Sequence, residues 1–454
     1  MRLNPARYPF LLQSLTHSMS ADKAEAMNEV SQRARFDILF AFPGETLRLM
    51  ADGVHGPGHK NSQTDEGGFL TALDCWWAAE SIDNDQEQDT DLPFTGGWFL
   101  YLGYELAGEV EPGLRLPLPD DFSVAFATRV PVAIINDRLN NETILIAEPD
   151  AAKQLAEVHE DLGAQQPVPV TGWPGVLVHD IKEEPPEDFL AGVLRVQQYI
   201  RDGDIFQANL SRRWQAQLNE AISPVVLYER LCEANPAPFA GMIMLDDFAV
   251  ISSSPERLVK RSGARIDTRP IAGTRPRIGG PAMAQVTRAA LLDNPKERAE
   301  HIMLIDLERN DLGRVCVGGS VEVDEYMVVE SYTHVHHIVS NVTGTARPGL
   351  TPGQLIRAVF PGGTITGCPK VRCMEIIQEL EGRVRGAYTG SMGYLNRNGD
   401  CDLNILIRTM TVQGQQIELA AGSGVVADSD PQMELNETRA KAKGMILALQ
   451  GQQE

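Results

Sequence analysis

The sequence predicts an α+β fold built on large antiparallel sheets, and three observations carry that expectation. Runs of aromatic and β-branched residues recur between clusters of Gly, Pro, Asn and Asp towards both ends of the chain, and few helical patterns interrupt them. No G-x-G-x-x-G follows a strand-like run, which leaves a doubly wound dinucleotide-binding sheet without support.

Taken in order, residues 7–150 place strands in FLLQS, RFDILFAFP, FTGGWFLYLGYEL, DDFSVAFATRVPVAIIND and ETILIAE. A helix is expected within 68–81, where Leu70, Leu73, Trp76 and Trp77 share a face, and the polar tract 82–91 reads as a solvated loop. Pro and charge give residues 164–173 and 182–187 linker composition. The boundary is therefore set at 160–187, between an N-terminal region 1–160 and a C-terminal region 187–454 packed as one unit. Beyond it, helices are expected over 188–200, 224–234 and 295–310, and again near Pro369, where Pro stands just inside the start and Val371, Met374, Ile377 and Leu380 point inward. Strands are expected in the stretch IFQANLSRRWQAQL and over 240–245, 248–252, 265–269, 389–395, 404–412 and 416–421, before a last helix over 432–449. No internal repeat is present.

Bulk composition narrows the function classes. The chain has 454 residues, of which 43% are hydrophobic and 6% aromatic, and no stretch approaches the ~18 apolar residues of a membrane span. Its start has an apolar run of only residues 9–12 and no small-residue cleavage site, so a cytoplasmic protein is expected. Six scattered cysteines without C-x-x-C spacing read as reduced thiols. A formal charge of −22 argues against nucleic acid and anionic membranes as partners, while an anionic small molecule requires a local cationic pocket.

Four constellations carry candidate chemistry. Glu297 and Glu300 lie three apart on one expected helix, and Glu434 and Glu437 repeat the spacing on the last one. Such carboxylates suit a hard divalent cation, and equally two solvated helix faces. Arg408, expected in a strand, and Lys441, one turn after Glu437, supply cations for a carboxylate ligand or ordinary ion pairs. VFPGGTITGCPKVR and GSGVVADS are Gly-rich turns whose amides suit an anion, but neither ends in the G-K-[ST] of a nucleotide-binding loop. His337 is either a proton carrier, with an ordinary pKa of about 6.5, or a core histidine. The segment SPERLVKRSGARIDTRPIAGTRPR adds Glu256, an acid beside a Gly-containing turn, for which Arg257 is a possible ion-pair partner.

In family order, LLQS, RFDI, LPFTGG, GDIFQANLSRR, SPERL, RPIAGTRPR, KERAEHIMLIDLERNDLGRV, HVHHIVS, FPGGTITGCPKVRCMEIIQELE, GSMGY, IRTM, GSGVVADS and ELNETRAK cover nearly the whole chain. Together they closely resemble the chorismate-utilising enzymes, whose nearest branches are component I of aminodeoxychorismate synthase and component I of anthranilate synthase. The resemblance implies that family's β-sandwich of large antiparallel sheets flanked by helices. It also implies chorismate as substrate, magnesium (Mg2+) as cofactor, and ammonia delivered by a separate glutamine amidotransferase subunit. By the same resemblance Glu300 and Glu437 are the principal metal ligands, with Glu297 and Glu434 beside them. Tyr388, Arg408 and the amides of Gly422, Ser423 and Gly424 hold the enolpyruvyl carboxylate, and Thr274, Thr364, Lys441 and His337 line the pocket. Glu256 matches the acid that protonates the departing C4 hydroxyl. LLQS and NPAPF, with Leu12, Ser14, Pro238 and Phe239, resemble a tryptophan pocket of the N-terminal region, which leaves a catalytically silent tryptophan-binding protein as a further alternative.

Two positions discriminate among branches of the family. Gln207 stands where the water-using relatives carry a lysine base, and an amide does not activate water, so ammonia is the expected nucleophile. Ala272 stands in PIAGT, where the best-known aminodeoxychorismate synthases have P-I-K-G-T with a nucleophilic lysine. An alanine has no nucleophilic atom, so covalent catalysis by this side chain is excluded. The scaffold motifs, including NPAPF with Phe239, favour 4-amino-4-deoxychorismate for folate synthesis, while PIAGT favours anthranilate.

Overall fold

The strand Gln207–Leu218 shows how the chain builds its sheets. Its first six residues are all buried, because both faces are covered, whereas its far end alternates, with Trp214, Ala216 and Leu218 buried and Gln215 and Gln217 exposed. The computed structural model describes residues 1, 4–15, 35–58, 67–82, 91–120, 122–164, 175–219, 222–276, 293–331 and 335–451. Their architecture is α+β, with two large antiparallel sheets flanked by helices.

The first sheet runs, in spatial order, Gly367–Cys368, Gln207–Leu218, Gln416–Val425, Thr409–Gln413, Phe248–Ser254, Phe239–Leu245, Phe10–Gln13, Phe36–Ala41, Val132–Asp137 and Glu142–Ala147, with Val178–Glu183 added beside Gln207–Leu218. The second runs Ile271–Pro276, Val335–Thr345, Arg265–Arg269, Arg257–Ser262, Cys401–Asn404, Ser391–Asn396, Gly97–Leu102, Ala125–Val130, Thr46–Met50 and Gly53–His55, with Glu322–Ser331 beside Val335–Thr345. Each sheet draws strands from both sides of residues 160–187: Phe10–Gln13 pairs with Phe239–Leu245, and Gly97–Leu102 with Ser391–Asn396. The sheets meet through aromatic side chains, with Phe10 of the first stacked on Phe99 of the second at 4.2 Å and Phe40 edge-on to Phe99 at 5.3 Å. Each fully buried ring contributes about 1.5–3 kcal/mol relative to exposure.

Helices cover the outer faces. Phe69–Glu80 buries Leu70, Leu73 and Trp76, and Trp76 packs edge-on to Trp98 at 5.5 Å. Gly68 has no side chain to cap this helix, so the distant Glu109 carboxylate accepts from the N–H groups of Phe69 and Leu70 at 2.7 and 2.9 Å. Pro186–Arg201, Pro224–Ala234, Pro295–Gly313 and Pro431–Gln450 form where periodicity puts them.

Several expectations need correction. Lys370–Glu381 begins after Pro369, which is the residue before the helix and not inside it, and Val371 is exposed while Cys373, Met374, Ile376 and Ile377 turn inward. The stretch 182–187 is only partly a linker, because Lys182 and Glu183 complete the strand Val178–Glu183 and pair with Gln215 and Trp214. Helices at Ala107–Val110, Ala152–Ala164 and Pro352–Val359 were not expected, although Thr351 and Gln354 form a capping box that signals the last of them. The tracts at 83–90 and 165–174 lie outside the described residues. The six cysteines are free, and no described helix is long and apolar enough to cross a membrane.

Candidate active site

The position of Glu256 follows from the buried serines before it. Ser252, Ser253 and Ser254 end the strand Phe248–Ser254 with no exposed surface. Ser254 Oγ donates to the Ile405 carbonyl at 2.5 Å and accepts from the Glu256 N–H at 3.2 Å, while the Ile405 N–H donates to the Glu256 carbonyl at 3.0 Å. This clamp turns the Glu256 side chain inward, leaving 4% of the residue exposed. Burial pushes its pKa up to about 7, although the Thr364 hydroxyl, the Ile271 N–H at 3.5 Å and the charges of Lys441 and Arg408 pull the other way. Arg257 does not pair with Glu256, since its guanidinium makes a fork with Asp402 at 2.8 and 2.9 Å. Glu256 is therefore a buried carboxyl that holds a proton near neutral pH and faces two cations.

Arg408 lies just before the strand Thr409–Gln413 and not within one, at a left-handed φ of 54° that ends strand geometry. Its charge acts on Glu256, Glu437, Tyr388 and His337, so these side chains gather around it within electrostatic reach. Burial and the Arg408 charge push His337 down to about 4, which leaves its ring neutral at physiological pH, with a hydrogen bond to the Gly273 backbone. Tyr388 is buried, and burial raises its phenol to about 12. Ala272 is 9% exposed in the strand Ile271–Pro276 and pairs with Ile338, one residue from the Thr274–His337 pair. The side chain of Thr274 lies outside the described residues.

Gly422, Ser423 and Gly424 are not in a turn but in the strand Gln416–Val425, one edge of which pairs with Gln207–Leu218. The strand on its other side pairs with it only as far as Leu419. A Cβ on Gly422 would stand 2.7 Å from the Tyr388 hydroxyl, and one on Gly424 would stand 2.8 Å from the Gln207 amide nitrogen. Lys441 Nζ reaches the Gly422 carbonyl at 3.0 Å and Glu437 at 2.7 Å, and Ser423 Oγ donates to Glu434. Glu256 with Thr364, and Tyr388 with Arg408, thus bound two sides of the candidate site. The glycine strand and the last helix form a third.

The carboxylate pairs ride on helices of different sheets. Pro295–Gly313, with Glu297 and Glu300, packs on Ile271–Pro276 and Val335–Thr345, and Pro431–Gln450, with Glu434 and Glu437, packs on Gln416–Val425. Their all-oxygen donor set fits a hard divalent cation in chemistry. Among the described residues no three His, Cys, Asp or Glu side chains converge into a cage. Glu437 is half-exposed and within electrostatic reach of Arg408.

Two features escaped the motifs. Glu308 and Asp311 are buried on the carboxylate-bearing helix, where Lys370 Nζ pairs with Asp311 at 2.5 Å. Burial and the neighbouring Asp311 push Glu308 up to about 8, and Glu308 is within electrostatic reach of Glu256. The i, i+3 spacing in DLERND was the available signal. Arg385, whose side chain is 1% exposed and ion-paired with Glu381, is the second feature. The motifs LLQS and NPAPF, by contrast, do come together: Leu12, Ser14, Pro238 and Phe239 line a cavity of about 640 Å3, in which Ser14 Oγ donates to the Pro238 carbonyl at 2.7 Å.

The comparisons bear on the whole chain. The family described as chorismate binding enzyme matches residues 43–447. Aminodeoxychorismate synthase component 1 of Bacillus subtilis is 37% identical over 461 residues, covering 98% of this chain and 96% of its own. An anthranilate synthase component I-like protein of Synechocystis is 44% identical over 370 residues, covering 79% and 74%. The crystal structure of anthranilate synthase component I from Streptococcus pneumoniae superposes with a TM-score of 0.79 at 32% identity, covering 91% of this chain and 92% of that one.

Proposed function

The chain belongs to the chorismate binding enzymes, and from that membership we propose that it aminates chorismate with ammonia to give 4-amino-4-deoxychorismate. The observation that carries the reading is Glu256, buried beside Thr364, with its pKa raised to about 7 and two cations within reach. Such a group is an acid at neutral pH and gives its proton to a departing hydroxyl. On this reading the C4–O bond breaks, water leaves with the Glu256 proton, and ammonia forms the new C–N bond. The proton that ammonia sheds restores the carboxyl. Arg408 and Tyr388 hold the enolpyruvyl carboxylate against the Gly422–Gly424 strand, and the neutral His337 offers a hydrogen bond without adding charge. Glu300 and Glu437, with Glu297 and Glu434 beside them, would hold magnesium, which when bound neutralises the ring carboxylate. Gln207 over Gly424 supports ammonia and not water as nucleophile. A glutamine amidotransferase subunit is the proposed source of that ammonia, and the cavity at Ser14 and Phe239 is assigned to tryptophan.

The purified chain with chorismate, magnesium and an ammonium salt tests the reading by chromatography of the product. A main product of 4-amino-4-deoxychorismate supports it, and anthranilate as main product overturns it in favour of the second reading, anthranilate synthesis. Ala272 is the observation that favours that second reading, because it lacks the amine of the lysine-bearing enzymes. Gly422→Ala is expected to raise KM for chorismate at least about tenfold in either case, because its new methyl meets the Tyr388 hydroxyl and the Leu210 backbone. Steady-state kinetics checks this.

A further inference from the structure

Arg385 is the most fully engaged buried cation near the pocket. Its side chain is 1% exposed, and all five guanidinium hydrogens have acceptors. Nε and Nη2 fork onto Glu381 at 2.9 and 2.5 Å, and Nη2 also donates to the Asn209 carbonyl at 2.8 Å. Nη1 donates to the Ile365 carbonyl and to Thr389 Oγ1, both at 3.3 Å. These acceptors belong to three separate pieces of the pocket. Asn209 lies on the strand facing Gly422, Ile365 follows Thr364 in the turn that meets Glu256, and Thr389 follows Tyr388.

Thr389 is under backbone strain. It is β-branched, fully buried and held at φ 66°, a conformation that persists only when its surroundings over-determine it. Its hydroxyl donates to the Tyr388 carbonyl at 2.5 Å while accepting from Arg385, and its N–H donates to the Leu406 carbonyl at 2.8 Å. The guanidinium also lies 5.6 Å from the centre of the Tyr388 ring. A second cavity of about 400 Å3 is lined by Arg385, Tyr388, Glu105 and Phe248.

We propose that Arg385 is a positioning residue for substrate recognition, which acts through Tyr388 by holding Thr389 in its left-handed conformation and the phenol over Gly422. The inference rests on the chorismate reading and deepens it. A lysine keeps the charge but not the planar fork, so it satisfies Glu381 without reaching both carbonyls and Thr389.

The test is a double-mutant cycle on chorismate turnover, with thermal stability recorded for each variant. Tyr388→Phe and Arg385→Lys are each expected to raise KM roughly tenfold, and the double variant to raise it only roughly tenfold in total, not a hundredfold. If Arg385→Lys does not fold, Glu381→Gln takes its place in the same cycle, because it loosens the fork and leaves the guanidinium. Additive effects on KM, or a loss of stability with KM unchanged, overturn the inference while the chorismate reading stands. Wild-type enzyme that leaves chorismate untouched overturns that reading and the inference with it.

Discussion

Glu256→Gln is expected to lower kcat by about 10²–10⁴-fold with KM for chorismate changed by no more than about threefold. The amide keeps the shape of the carboxyl and its contacts to Thr364 and the Ile271 N–H, but has no proton to give. In the wild type the acid form is lost as pH rises through about 7, so kcat/KM falls on the alkaline side, and the residual rate of the variant lacks that limb. Stability depends on the same proton. A carboxyl raised from 4.5 to about 7 by burial binds its proton more tightly in the folded state than in the unfolded one. Its contribution is whole below pH 4.5 and is lost as pH rises through about 7. The buried charge thereafter costs the wild type about 3 kcal/mol relative to the amide. Urea unfolding at pH 5 and pH 8 checks this: the Gln variant gains on the wild type between the two. An equal difference at both pH values removes the case for a buried, proton-holding Glu256.

The two sheets were legible because hydrophobic alternation and turn residues mark strands wherever one face is solvated, as at Trp214, Ala216 and Leu218. Helices with a continuous apolar face, such as Phe69–Glu80, were equally plain. What escaped depends on contacts between residues far apart in the chain. Glu183 reads as linker by its neighbours, yet it joins a strand by pairing with Trp214, and its charge is met there by Arg212 and Arg439, the latter 256 positions away. Gly422–Gly424 look like a turn, yet they extend a strand, since Gln207–Leu218 supplies a partner along that edge.

The candidate site divides in the same way. Glu256, Arg408, Lys441 and Glu437 were identifiable from motifs, and the fold puts them within reach of one another. Their supports were not identifiable, because Arg385, Glu308 and Lys370 look like ordinary charges in helical or loop sequence until burial is known. Arg408 was expected in a strand because the flanking residues alternate. Its left-handed backbone is imposed by tertiary bonds, among them the Ser253 N–H to its carbonyl at 3.1 Å.

Arg408→Met should lower kcat/KM for chorismate by about 10²–10³-fold, carried mainly by KM, since removing one partner of a largely desolvated charge pair costs about 2–5 kcal/mol. The size of the loss alone does not distinguish a carboxylate clamp from a structural cation, but the pH profile does. Arg408 is one of the two cations that favour the Glu256 carboxylate, and its removal makes that carboxylate harder to form. The alkaline limb of kcat/KM should therefore move to higher pH in the variant, even as the absolute rate falls. His337 moves in the same direction for the mirror-image reason, because Arg408 helps to keep its ring neutral and removing that charge makes protonation easier. An NMR titration of the His337 ring then reports a raised pKa in the Met variant and an unchanged one in Lys441→Arg, which keeps its charge. A limb that stays in place while the rate falls would assign Arg408 to folding and not to the electrostatics of the acid, and the carboxylate would need another clamp.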